Sequence, residues 1–143
     1  MHKALNYMSL ARKAGRIELG EEPVGAAARA QKARLVVVAS DASDHTWRRS
    51  KSFVAGTNQQ CIRVAMTKDE LGQAVGRTSL AVAAFTDPAL ALAFVQALAD
   101  PRHEAVVQAL HERTKRVRQR QTEEKTHQRN KRMGKPGKKA GMN

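Results

Sequence analysis

The chain is poor in cysteine and in aromatic residues. It has one cysteine, Cys61, so an internal disulfide is excluded and a reducing compartment fits. Aromatic residues make up 3% of the sequence, so the core is expected to rest on Ala, Val and Leu. No apolar run approaches the roughly 20 residues of a membrane-spanning helix. The N-terminal stretch MHKALNYMSLARKAG lacks the apolar segment of a secretory signal. These absences predict a cytoplasmic protein with no membrane partner. There is no internal repeat. A glycine-rich phosphate loop is also missing, because the turn Leu19-Gly20-Glu21-Glu22 has one glycine and two acids that repel phosphate.

Acidic residues are scarce. Lys and Arg number 26 against 13 Asp and Glu, for a formal net charge of +13 and a pI near 10.8. The surplus is uneven. Residues 1–99 hold 13 basic and 8 acidic side chains, whereas residues 100–143 hold 13 and 5. Clustered positive charge favours a polyanionic partner, most often nucleic acid. The length of 143 residues suits one core, and the charge shift predicts a domain over 1–99 followed by a basic tail over 100–143.

The stretch from Arg16 to Ser43 organises the rest. Ile17-Glu18-Leu19 alternates like a short strand, and Gly20 breaks it. Glu21, Glu22 and Pro23 open a helix, with acids opposing the positive end of its dipole. Val24, Ala27 and Ala28 give that helix a narrow apolar face. Leu35 to Ala39 is a continuous apolar run, which predicts a strand covered on both faces. Ser40, Asp41 and Ser43 supply turn and cap chemistry. A βαβ unit of this kind brings the turns at Gly20–Glu22 and Ser40–Asp41 to neighbouring places on one rim.

Before this unit, Leu5, Met8 and Ala11 mark a first helix stopped by Gly15. After it, Ser43 or Asp44 caps a helix carrying Trp47, Phe53 and Val54. A short strand at Cys61–Val64 follows. Thr67-Lys68-Asp69-Glu70 spells a capping box, flanked by Met66 and Leu71 as a hydrophobic staple. Leu80–Phe85 reads as another buried strand. Asp87-Pro88 starts an apolar helix to Leu98, and Asp100-Pro101 repeats the start signal for a helix to about Gln121. The lysine- and arginine-rich remainder is expected to be disordered when unbound and, as a cationic arm, to neutralise the phosphates of a polyanion in a salt-sensitive, weakly specific way. Alternating strands and helices predict a three-layer α/β/α sandwich on a four-stranded sheet.

Several of these segments resemble, in order and in spacing, the YlxQ branch of the kink-turn-binding ribosomal protein superfamily. They are Leu10–Gly15, Leu19–Glu22, Ala33–Ser43, Thr67–Gly76 and Ala81–Asp87. The resemblance spans roughly residues 4 to 98. It implies a mixed sheet and a non-catalytic, ribosome- or translation-associated protein whose partner is ribosomal or other structured RNA. It further implies that three loops on one rim hold the RNA, here Gly20–Glu22, Ser40–Asp41 and Gly76–Leu80. The candidate contacts are Gly20, Glu21, Glu22, Asp41, Arg77, Thr78 and Ser79, with Lys13, Arg16, Lys32 and Arg34 expected on flanking phosphates. The strong kink-turn binders carry Gly-x-Asn-Glu, one residue, Thr and Lys at the second helix. Only Gly20 of that signature is kept; Glu22, Pro23, Gly25 and Ala26 occupy the other positions, so tight kink-turn binding is not implied.

No catalytic, cofactor or metal site is expected. Cys61 has no histidine near it in sequence and reads as a small buried residue. Asp41, Asp44 and His45 fit turn and cap chemistry. His103 and His111 lack acidic partners spaced for a metal. A monomer is expected. Two other functions are compatible with the sequence: an RNA-recruiting module for an RNA-modifying enzyme acting in trans, and a nucleotide- or metabolite-binding α/β protein, which would need a deep polar pocket.

Overall fold

The computed structural model describes residues 2–132. The chain falls into two compact units, residues up to His111 and residues from Glu112 on.

In the first unit, α1 (Leu5–Ala14) ends at Gly15, whose left-handed φ of +68° closes the helix. Then come β1 (Ile17–Leu19), α2 (Glu21–Arg29), β2 (Leu35–Val38), α3 (Asp44–Val54), β3 (Gln60–Arg63), α4 (Lys68–Ala74), β4 (Val82–Phe85) and α5 (Pro88–Leu98). The strands form one sheet in the order β1-β4-β2-β3. β4 is antiparallel to both β1 and β2, while β3 is parallel to β2. The sheet is therefore mixed, with β1, β2 and β3 running one way. Helix α1 contacts both α4 and α5, and α2 contacts α3, so helices cover both faces. This is the expected three-layer architecture.

The central strands explain the stability of this arrangement. β2 and β4 are buried along their whole length, and their Val, Ala and Leu side chains meet helices on both sides. The core is aliphatic with one departure from expectation. Phe85 and Phe94 are the largest fully buried side chains, and their rings sit 5.1 Å apart at a tilt of 43°. A sequence with few aromatics has concentrated two of them where β4 meets α5.

Several element ends differ from the sequence reading by one or more residues. β3 begins at Gln60, and β4 begins at Val82, because Leu80 instead donates its N–H to the Lys68 carbonyl. Asp100-Pro101 opens a 3-10 turn, Pro101–His103, before α6 (Glu104–Arg132) starts. Helix α6 also runs past Gln121. Its later turns hold Gln, Arg, Lys and Glu, which lose little rotamer freedom in a helix, so no core is needed for local helicity. Disorder expected from residue 122 thus gives way to helix as far as Arg132; residues 133–143 lie outside the described residues. Within the first unit, Val106, Val107 and Leu110 tie the start of α6 to the core.

Candidate nucleic-acid interface

The strand directions fix which loops meet. β1, β2 and β3 end where β4 begins, so the turns that follow them share a rim with the loop that precedes β4. Ligands of open α/β sheets meet the carboxyl ends of parallel strands. The three loops expected together are together: Gly20 donates its N–H to the Val82 carbonyl at 2.9 Å, and Ala39 donates to Ala81 at 2.9 Å. A fourth segment joins them. The β3–α4 turn enters the rim where the Ser40 N–H donates to the Met66 carbonyl at 2.9 Å. The sequence carried a signal for it, since a capping box must be preceded by a turn, but nothing in it fixed the parallel pairing of β3 with β2.

Gly20 holds φ +96° and ψ 163°, a conformation costly for any residue with a Cβ. Glu21 is half-buried and 3.4 Å from Arg49 Nε, so α3 holds it in an ion pair. Glu22 is exposed, with no hydrogen-bond or ion-pair partner among the described residues. Asp41 is exposed too, but its Oδ1 accepts from the Lys68 N–H at 2.8 Å, capping α4 from across the rim. The capping box is present: Thr67 Oγ1 accepts from the Glu70 N–H at 3.2 Å, and Glu70 Oε1 accepts from the Thr67 N–H at 2.9 Å. Met66 and Leu71 are buried beside it.

The last loop is shaped by a residue that the sequence reading passed over. Gly72 lies in the seven-residue α4, and a Cβ there would stand 2.8 Å from the Arg77 carbonyl oxygen and 2.8 Å from the Ser79 nitrogen. The chain after α4 therefore folds back against bare backbone. Arg77 donates its N–H to the Gly72 carbonyl at 2.8 Å. Gly76, at φ +75°, makes the reversal. Arg77, Thr78 and Ser79 are left exposed. A glycine inside a short helix was the available signal.

Four of the expected contacts lie elsewhere. Lys13, Arg16, Lys32 and Arg34 sit at the amino ends of β1 and β2, at the other end of the sheet. Arg16 and Gly20 flank the three residues of β1, about 13 Å apart at roughly 3.3 Å per residue. The cause is topological: Lys13 lies in the last turn of α1, Arg16 and Arg34 each precede a strand that climbs to the rim, and Lys32 follows the helix that returns from it.

Chemistry is sparse away from the rim. Cys61 is half-buried under α3, and burial pushes its thiol up to about 12, partly offset by Lys51. It is a neutral thiol near pH 7, not an activated nucleophile. Asp44 and His45 are exposed in the first turn of α3, where Ser43 is the cap: its Oγ accepts from the Thr46 N–H at 3.1 Å. His103 Nε2 does have an acid nearby, Asp100 Oδ2 at 3.8 Å. Among the described residues no three His, Cys, Asp or Glu side chains gather as metal ligands. A cleft of about 780 Å³ lies between α5 and the start of α6, lined by Gln96, Asp100, Glu104 and His111 with Val95 and Val107, and it contains none of the rim residues. No helix among the described residues is long and apolar enough to cross a membrane.

A mixed four-stranded sheet with this rim defines a ribosomal-protein type of α/β domain, and the comparisons agree. Residues 2–95 match the ribosomal protein L7Ae/L30e/S12e/Gadd45 family, to which the chain belongs. Within it the chain resembles the YlxQ branch: it is 35% identical over 75 residues to the RNA-binding protein YlxQ of Enterococcus faecium, covering 52% of this chain and 72% of that one. Two solved structures share the fold. One is a protein of unknown function from Bacillus halodurans, with TM-score 0.65 and 24% identity, over 70% of this chain and all of that one. The other is the Giardia lamblia 15.5kD RNA binding protein, with TM-score 0.53 and 21% identity, over 72% and 86%.

Proposed function

We propose that the protein is a non-catalytic RNA-binding protein that holds structured RNA at the loop rim, in association with the ribosome or the translation apparatus. The observation that carries this reading is the convergence of the Gly20, Ser40 and Gly76–Ser79 segments on one end of the sheet. Family membership and the names of two relatives support RNA as the partner.

The chemistry assigns different work to different residues. Glu22 is the free acceptor, suited to the N–H donors on the edge of an unstacked or sheared base. Glu21, paired with Arg49, orients the α2 start beneath it. Gly20 lets the RNA approach the backbone. Arg77, Thr78 and Ser79 offer one cation and two hydroxyls to phosphate and ribose oxygens. Asp41 acts as a positioning residue, joining the β2–α3 turn to α4. A rim rich in carboxylates suits bases better than phosphates, so unpaired or kinked RNA is the expected target rather than a regular duplex.

Fluorescence anisotropy with a labelled hairpin containing an asymmetric internal loop, against the same hairpin fully paired, tests this. The internal-loop RNA should bind more tightly, and Glu22→Ala with Arg77→Ala should erase the preference. Equal affinity for both RNAs, or no binding to either, would refute the proposal.

A further inference from the structure

The end of the sheet opposite the loops carries cations that the rim does not use. Phe85 pairs with Ile17 on one side and with Leu35 on the other. Arg16 and Arg34, each one residue before its strand, therefore stand on either side of the end of β4. Hydrogen bonds fix both backbones: the Thr86 N–H donates to the Arg16 carbonyl at 2.9 Å, and the Arg34 N–H to the Phe85 carbonyl at 2.8 Å. Two strand spacings of about 4.8 Å put them roughly 10 Å apart. The last turn of α1 brings Arg12 and Lys13 to this end, and the last turn of α2 brings Arg29. Lys32 joins them in the turn after α2, its N–H donating to the Ala27 carbonyl at 2.8 Å.

Arg12, Lys13, Arg16, Arg29 and Lys32 are exposed, and Arg34 is half-buried. None of the six has a carboxylate partner among the described residues. The acid at this end, Asp87, is occupied, since its Oδ2 accepts from the Leu90 N–H at 2.9 Å as the α5 cap. Cations in a last helical turn offset the helix dipole, which accounts for Arg12, Lys13 and Arg29. It does not account for Arg16, Lys32 and Arg34, which lie outside the helices. A protein partner would need an apolar or aromatic anchor. Among the described residues the exposed large apolar side chain is Leu10, three residues before Lys13 on α1 and so beside it; a single leucine falls short of the buried apolar core that a protein interface needs.

We infer that this end is a second nucleic-acid contact, one that takes the phosphate backbone of a duplex RNA segment other than the segment held at the rim. The inference rests on RNA being the partner. The strands run from one end to the other, so a duplex lying across the rim approaches from the side opposite these cations. The protein then bridges two RNA segments, reading one by its unpaired bases and gripping the other by charge alone. Phosphate contacts of this kind carry no sequence information and weaken steeply with salt.

The test uses the full chain, a plain RNA duplex and the internal-loop hairpin, each with its own label. K13E/R16E/K32E, and separately the neutral K13Q/R16Q/K32Q, change exposed side chains and leave α6 intact; circular dichroism melting confirms that both fold. The reversal variant should bind the duplex about tenfold or more weakly, with a salt slope shallower by roughly 0.9 for each phosphate that it no longer neutralises. Its preference for the internal-loop hairpin over the fully paired hairpin should be unchanged, and the wild type alone should bring both labels into one complex. Unchanged duplex affinity and salt slope in the reversal variant would overturn the inference and leave this end to an acidic protein surface. Loss of hairpin preference with duplex binding intact would instead strike the rim proposal, so the two fail separately.

Discussion

The two ends of the sheet share four strands and differ in charge: acids and cations mix at the loops, and cations dominate the other end. Of the eight acids in residues 1–99, six stand at the loop end: Glu21, Glu22, Asp41, Asp44, Asp69 and Glu70. Of the 13 cations in the same span, six stand at the other end. Topology explains much of this polarity. Because β1, β2 and β3 are parallel, α2, α3 and α4 all start at the loop rim, while α1 and α2 finish at the far end. Helix N-termini favour acids and C-termini favour cations, so the fold sorts charge along the strands. The difference teaches that a residue's sign is weak evidence for its role until its helix is known. Asp41, Glu70 and Glu21 are occupied at the rim. Glu22 has no partner there among the described residues, although the start of α2 accounts for its sign; Arg16 and Lys32 at the far end lie outside the helices, and theirs is the charge that the fold does not explain.

Substitutions can break this comparison from either side. The largest effect is expected for Gly72→Ala. A methyl at 2.8 Å from two backbone atoms must displace residues 77–79, at a cost of about 1–3 kcal/mol, and the rim should lose its internal-loop preference with it. Denaturant unfolding and anisotropy measure both. Next comes Thr67→Ala, which removes the capping box and should cost about 1 kcal/mol of stability while the far end keeps its duplex affinity. Lys32→Ala should do the reverse. Its stability should stay within about 0.5 kcal/mol of the parent, and only the salt slope should move.

Asp100, outside both charge clusters, sharpens the comparison as a reference. The Arg102 guanidinium and backbone N–H hold its carboxyl down at about 2, against 3.8 ordinarily. A depressed carboxyl stabilises the fold fully above the ordinary value, and that contribution fades as pH falls toward 2. Asp100→Asn should slightly flatten acid unfolding between pH 4 and 2 and change no RNA titration.

Much of the fold was legible in the sequence. The capping box at Thr67, the Asp87-Pro88 helix start and the apolar runs at Leu35 and Ala81 are local signals, and each states its own geometry. The rim was half legible. The βαβ unit joined Gly20 to Ser40, but the β3–α4 turn enters through strand order, which no local pattern encodes. Lys13, Arg16, Lys32 and Arg34 were expected on phosphates flanking the RNA held by the loops, and strands of three and four residues carry them to the other end of the sheet. Gly72 showed only as a glycine inside a short helix, because its role depends on a chain segment that folds back onto it. The length of α6 was underestimated because side-chain propensity, not an apolar stripe, sustains its later turns.

The central claim is that the rim reads RNA, and amide chemical-shift mapping of the isotope-labelled full chain with the internal-loop hairpin tests it most directly. The account predicts the largest perturbations at Gly20–Glu22, Ser40–Asp41 and Gly76–Ser79 in sequence-distant groups that titrate together. Perturbations confined to the α5–α6 cleft, or spread evenly over the basic surface with none at those loops, would contradict it.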